Sequence, residues 1–403
     1  MTYDFDSQIQ RRHSGSYKWD ADHGQTTPGD MIPLWVADMD FRTAPAITDA
    51  LRRRVDHGVF GYTLVPDEYY RALTGWFESR HGYTIDPSLV IYTSGVVPAI
   101  SAIIKALTRP GDGVIVTTPV YNCFFSSIRN NDCRVMASPL VRRPVDDRPG
   151  FFTYHIDLAA LRALMESDTE ARVMLLCNPH NPGGRTWNYD ELLAVAEMCR
   201  EFGVTLVSDE IHCDLTLPGN HFTSAGTLPE DLRRDIIICN SPSKAFNTAG
   251  LQIANIICGN ENLRTLVDRA ININEVCDVN PFGVAGLIAA YTDGADWLAQ
   301  LNEYLAGNYA LLCERFGREL PELPMSLLQA TYLAWIDISA LRTISADALE
   351  DLLLERAHVW INSGSMYMGD GYIRINFACP RARLSEALDR IIPVLRQLID
   401  NNR

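Results

Sequence analysis

Short runs rich in Val and Ile, apolar at nearly every position, alternate through residues 90–258 with stretches whose apolar residues recur every three or four positions. The runs 90–93, 114–117, 172–177, 204–208, 236–239 and 253–258 predict strands covered on both faces, because a strand with one wet face alternates apolar and polar side chains. The other stretches predict helices. One covers 44–57 and ends at Gly58. Another opens at Asn188, where Glu191 three residues on completes a reciprocal N-cap, carries Leu192, Leu193, Val195, Ala196 and Cys199, and stops at Gly203. Strands alternating with helices imply a mostly parallel α/β sheet. After about residue 290 the texture changes to long helices around a few strands (332–336, 372–377), and the closing helix lines up Leu384, Leu388, Ile391, Ile392 and Leu395. The pattern predicts a large α/β domain over residues 50–285 and a smaller α+β domain over 286–403, with the N-terminal segment 1–49 packing on the smaller one.

Composition narrows the function. The chain has 403 residues and a formal net charge of −15, with no segment that concentrates Lys and Arg. An acidic surface repels phosphate backbones and anionic lipid heads, so neither nucleic acid nor a membrane is an expected partner. Ten cysteines show no C-x-x-C pair and several sit in apolar runs, which predicts buried free thiols. The first residues lack a basic start followed by an apolar stretch, and no apolar run reaches the ~20 residues that span a bilayer. The expectation is a cytoplasmic protein.

In an open α/β sheet, ligands gather beyond the carboxyl ends of the strands. The residues just past each predicted strand are therefore informative. Run 90–93 leads to Ser94-Gly95-Val96-Val97 and a helix; 172–177 to Asn178-Pro-His-Asn181-Pro-Gly-Gly184; 204–208 to Asp209-Glu210-Ile-His212; and 236–239 to Asn240-Ser241-Pro-Ser243-Lys244. A glycine turn opening a helix offers free N–H groups and a dipole to an anion. An acid directly after a core strand is costly unless it meets a cation, and a lysine beyond two small hydroxyl residues can offer its amine to an aldehyde. Each element alone is commonplace: a tight turn, a helix cap, a surface lysine, a turn asparagine. Together they are what pyridoxal 5′-phosphate requires: a phosphate cradle, a buried acid and a lysine for a Schiff base.

The motifs Asn178-Pro-His-Asn-Pro-Gly-Gly184, Ser208-Asp-Glu-Ile-His212 and Ser241-Pro-Ser-Lys-Ala-Phe-Asn247 resemble the class I/II aminotransferase superfamily of fold type I. Pro33-Leu-Trp-Val-Ala-Asp-Met-Asp-Phe41, Ser94-Gly-Val-Val-Pro98, Thr118-Pro-Val-Tyr121 and Ser243-Lys-Ala-Phe-Asn-Thr-Ala-Gly250 resemble, more finely, its MalY/PatB-type carbon–sulfur lyases, and the likeness runs over essentially the whole chain. The resemblance implies a large domain with a mostly parallel seven-stranded sheet, and pyridoxal 5′-phosphate held by Lys244 as a Schiff base. It further implies that Asp209 pairs with the ring nitrogen, Asn181 bonds the phenolic oxygen and Tyr121 stacks on the ring. Gly95, Val96, Val97, Ser241 and Ser243 would hold the phosphate. Tyr62 would reach that phosphate from the other subunit of a homodimer, and His212 would lie beside the cofactor. Arg374 would clamp the substrate carboxylate, with Val36 and Asn181 also at the substrate, and Lys244 or Tyr121 would protonate the leaving sulfur.

One departure is informative. Many aminotransferases have a phosphate-bonding arginine eight residues after the lysine, where this chain has Gln252, as does the lyase branch. The implied activity is β-elimination at the Cβ–S bond of L-cystathionine or a related cysteine S-conjugate, giving thiol, pyruvate and ammonia. A transaminase is the rival enzyme. A regulatory protein acting by contact is the rival from another class, for which the chain shows no added domain or charged patch.

Overall fold

The computed structural model describes residues 2–23, 28–273 and 278–401. Its larger sheet has seven strands in the spatial order Val90–Thr93, Ala254–Cys258, Ile237–Asn240, Thr205–Asp209, Ala171–Cys177, Gly113–Thr118 and Arg134–Pro139. All neighbours pair in parallel except Ala254–Cys258, which runs against both strands beside it. Six strands fall where the apolar runs place them. The seventh, Arg134–Pro139, is an edge strand with exposed ends, and its short apolar stretch Val135-Met-Ala137 carries no such signature. Val114, Ile115, Val116, Val173, Leu175, Val207, Ile237 and Ile256 are all sealed from solvent, as a sheet with helices on both faces requires.

Helix ends follow local chemistry. Helix Pro45–His57 has proline at its first turn and ends on Gly58 at φ 74°, the left-handed conformation glycine adopts without a Cβ clash. Helix Tyr189–Glu201 carries the predicted box: the Glu191 N–H donates to Asn188 Oδ1, and the Asn188 N–H to Glu191 Oε2, each at 2.9 Å.

A second sheet has six strands in the order Asn362–Ser363, Tyr372–Asn376, Leu333–Asp337, Met325–Ser326, Phe151–His155 and Val141–Pro144. The last two form a hairpin from the middle of the chain. Ile32–Pro33 pairs in parallel with Val359–Trp360, which ties the N-terminal segment to the C-terminal part. Helix Arg381–Asn401 closes the chain with Leu384, Leu388, Ile391, Ile392 and Leu395 buried. No described helix is long and apolar enough to cross a membrane, and the nine described cysteines are free, seven of them buried.

Candidate active site

A cavity of roughly 180 Å³ opens beyond the carboxyl ends of the larger sheet, lined among others by Gly95, Tyr121, Asn181, Asp209, His212 and Lys244. They arrive from five strand ends, Asp209 and His212 sharing one, so residues far apart in sequence meet because the strands are neighbours.

Helix Val96–Leu107 follows strand Val90–Thr93 across Ser94 and Gly95, and no side chain caps its first turn. Ser94, Gly95, Val96 and Val97 line the cavity, so uncapped N–H groups and the positive end of the dipole lie at its wall, which suits a phosphate. Ser243 lines the same space. Ser241 sits behind it: its hydroxyl donates to the Ile253 carbonyl at 2.7 Å and accepts the Ser243 N–H at 3.1 Å, so it braces the loop.

Two adjacent buried acids differ in their surroundings. Glu210 receives Ser208 Oγ at 2.9 Å, Ser224 Oγ at 2.7 Å and the Ala225 N–H at 2.8 Å, which marks it as a packing residue with its oxygens satisfied. Asp209, 3% exposed, takes the Ile211 N–H at 3.1 Å. Burial pushes its carboxyl up to about 7, against the opposing pull of that bond and of Lys244. An acid so placed on a cavity wall is short of a cation, and a protonated ring nitrogen would supply one.

Lys244 Nζ donates to the Ala37 carbonyl at 2.7 Å. Burial first, and then the Arg374 charge, lower its pKa, and both favour the neutral, nucleophilic amine. His212 is 2% exposed and burial drives it down to about 3, so it stays a neutral imidazole; its Nδ1 has no partner among the described residues. Tyr121 immediately precedes helix Asn122–Asn130, and burial raises its phenol well above the ordinary value, which keeps the proton on.

Arg374 lies in strand Tyr372–Asn376, paired on both sides, and is 3% exposed. It donates to Asn181 Oδ1 at 3.1 Å and to the Trp35 carbonyl at 2.9 Å, and its guanidinium carbon sits 4.7 Å from the centre of the Tyr367 ring. Its Nε has no partner among the described residues. A buried cation with an idle donor is a socket for a carboxylate. The Asn181 N–H also bonds Cys177 Sγ at 3.3 Å.

The half-buried Val36 offers its carbonyl to Asn376 Nδ2. Tyr62 stands apart: it is 96% exposed, on the segment between helices Pro45–His57 and Asp67–His81, with Val59, Phe60 and Leu64 also exposed. Sequence reasoning missed the carbonyls of Trp35 and Ala37 and the Tyr332 hydroxyl, which donates to Ala37 O at 2.9 Å. The 33–41 run was their signal, but a main-chain carbonyl leaves no trace in residue identity.

Among the described residues, His81, Cys213 and Asp214 are spaced as metal ligands could be. Asp214 already receives Trp76 Nε1 at 3.0 and 3.1 Å, with His81 Nε2 at 2.9 Å and Arg80 at 3.6 Å. Its charge is met by protein donors, and the cluster is a packing tie.

The sequence profile of the aminotransferase class I and II family matches residues 29–391. The chain is 38% identical to cystathionine beta-lyase PatB of Bacillus subtilis, over 96% of this chain and 98% of that protein. It superposes on cystalysin of Treponema denticola, whose structure contains pyridoxal 5′-phosphate, with TM-score 0.93 and 33% identity, covering 99% of this chain and 100% of the other. For a pyridoxal-phosphate-bound C–S lyase of Staphylococcus hominis the TM-score is 0.89 at 31% identity, covering 98% of each chain.

Proposed function

The chain belongs to the aminotransferase class I and II family, and within it we propose a pyridoxal-5′-phosphate-dependent carbon–sulfur β-lyase acting on L-cystathionine or related cysteine S-conjugates. Substrate and water become thiol, pyruvate and ammonium. The observation that carries this reading is a single cavity lined by an amine of lowered pKa (Lys244), a cation-seeking acid (Asp209) and Asn181, to whose side chain the buried Arg374 is hydrogen-bonded.

The cofactor, when bound, supplies an electron sink that weakens the bonds at the substrate α-carbon. The residues of the chain divide the remaining work. Lys244 would hold the cofactor covalently, and its free amine would take the substrate's α-proton. Asp209 keeps a proton on the ring nitrogen. The amides of Gly95, Val96 and Val97, with Ser243, hold the phosphate, and Ser241 supports that loop. Asn181 would bond the phenolic oxygen, Tyr121 would cover the ring face and His212 would lie beside it, since all three line the cavity. Arg374 takes the α-carboxylate through two parallel N–H donors, with Val36 and Asn181 at the same end. That grip would orient the substrate so that its Cβ–S bond, rather than another bond at the α-carbon, is the one set to break. Lys244, carrying the proton it removed, returns it to the leaving sulfur, and Tyr121, held protonated by burial, is the second donor.

The working unit is a homodimer. The exposed run Val59, Phe60, Tyr62 and Leu64 supports an interface there, through which Tyr62 reaches the partner's phosphate cradle. The described cysteines, free and mostly buried, support a reducing, cytoplasmic setting.

The test is to supply cystathionine, cysteine and alanine separately and measure pyruvate, free thiol and keto-acid-dependent amino transfer. Pyruvate and thiol from the thioether with no keto acid support the lyase. Turnover only with a keto-acid acceptor would make the protein a transaminase.

A further inference from the structure

Residues 34–41 form a strap whose main chain is gripped at almost every step. Leu34 O accepts the Asn376 N–H; Trp35 O accepts Arg374 and Asn362 Nδ2; Ala37 O accepts Lys244 Nζ and the Tyr332 hydroxyl; and Asp38 O accepts Asn376 Nδ2 and Lys18 Nζ. Most of these donors come from the C-terminal part or the N-terminal arm. From the loop that carries Lys244, two side chains reach the strap: Lys244 itself, and Asn247 three residues on. Asn247 lies at φ 55°, in the left-handed region that asparagine tolerates better than most residues. There its carboxamide pairs with Met39 as a peptide would: the Met39 N–H donates to Oδ1 at 2.9 Å, and Nδ2 donates to Met39 O at 2.9 Å and to Phe41 O at 3.0 Å.

We infer that Asn247 is a positioning residue that registers the 34–41 strap against the Lys244 loop and so sets the gap between Lys244 and Arg374 that admits an α-amino acid. Trp35 O holds Arg374 and Ala37 O holds Lys244, so the bent stretch of two residues between them, which could span at most roughly 7 Å, sets that gap. The amine and the carboxylate of the substrate meet Lys244 and Arg374, in a pose that rests on the lyase reading. Chemistry at Lys244 takes its amine off Ala37 O. Asn247 is then the side chain of that loop that still pins the strap, and the carboxylate socket keeps its place throughout the reaction.

The variants are Asn247→Gly, which keeps the positive φ free of strain and deletes the carboxamide, and Asn247→Asp, which keeps the acceptor for Met39 N–H and deletes both donors. The first readout needs no substrate. Hydrogen exchange of the cofactor-loaded protein is followed by mass spectrometry on peptides covering 34–41 and on the remaining peptides. In both variants the strap peptides should exchange about tenfold faster while the rest of the protein matches wild type, the scale of one or two ordinary hydrogen bonds. KM for the thioether should rise about tenfold with kcat within about threefold, and the visible absorbance of the lysine-bound cofactor should be unchanged. Strap exchange as in wild type, an unchanged KM, or loss of that absorbance would each overturn the assignment. Should Asn247→Gly fail to fold, Asn247→Asp carries the same comparison. A wild-type protein inactive on thioethers would defeat the lyase reading, while the exchange result still reports on the clasp.

Discussion

Removing the guanidinium of Arg374 tests the substrate pose while leaving Lys244, Asp209 and the Gly95 turn untouched. Arg374 is held from three sides, by Asn181 Oδ1 at 3.1 Å, by Trp35 O at 2.9 Å and by the face of Tyr367. In Arg374→Ala, Trp35 O keeps Asn362 Nδ2 at 2.9 Å as a donor, so the strap does not gain an orphan carbonyl. The loss is the fork proposed to meet the carboxylate. Hydrogen bonds to charged groups contribute about 1.5–3 kcal/mol each, so losing the pair should lower kcat/KM by roughly 10²–10⁴. Arg374→Lys keeps the charge but not the planar fork and should fall between wild type and alanine. The assay is steady-state thiol release from cystathionine, run beside the cofactor absorbance and repeated with a decarboxylated amine analogue. The absorbance should persist, and the defect should shrink for the analogue, which has no carboxylate to hold. If alanine strips the cofactor, or leaves kcat/KM for cystathionine unchanged, Arg374 is not the carboxylate clamp and the substrate sits in another pose.

Lys244→Ala should be colourless at the lysine–cofactor band and essentially without turnover; a borohydride-reducible adduct persisting in the variant would move the anchor elsewhere. Asp209→Asn should still take up cofactor, with turnover down by roughly 10² or more, because a desolvated charge-assisted partner contributes about 2–5 kcal/mol; activity within threefold of wild type would make Asp209 a structural acid. The same substitution should stabilise the cofactor-free protein. Burial raises the Asp209 carboxyl from 3.8 to about 7, so the folded state holds a proton the unfolded chain has released, and wild-type stability falls as pH rises through that window. The gain from asparagine should therefore reach about 2–4 kcal/mol at pH 8 and shrink toward pH 5, as read by denaturant titration; a gain independent of pH would contradict that sign. Mixing inactive Tyr62→Ala with inactive Lys244→Ala protein under subunit exchange should restore activity, since one site of the mixed dimer then has both residues; no recovery after proven exchange would argue against Tyr62 acting across the interface.

Much of this site could be read from the sequence because parallel strands buried on both faces announce themselves as apolar runs, and ligand chemistry comes directly at their ends. Lys244, Asp209, Asn181 and the Gly95 turn were visible for that reason, and the structure brings them to one cavity. Strand Arg134–Pro139 was not visible, because an edge strand with exposed Arg134 has no need of an apolar run. The hairpin Val141–Pro144 and Phe151–His155 gave no sign of its destination: pairing with Met325–Ser326 is a contact across some 170 residues, beyond any local period. The face occupied by Arg374 was ambiguous for a related reason. Alternation along 372–377 separates two faces, but only the pairing of Tyr372–Asn376 on both edges, and the strap laid against it, show that both are buried. Ser241 belongs to the phosphate loop by position, yet its hydroxyl is spent on Ile253 O, a bond fixed by the neighbouring strand rather than by the motif.

Elimination at Cβ, rather than transfer of the amino group, is the chemistry that the site around Lys244, Asp209 and Arg374 is held to perform. Product stoichiometry from L-cystathionine decides between the two, with purified, cofactor-loaded protein and no keto acid present. Elimination gives pyruvate and thiol rising together in a 1:1 ratio through many turnovers per Lys244. A single equivalent of keto acid per site, halting until an amino acceptor is added and with no thiol released, would contradict it.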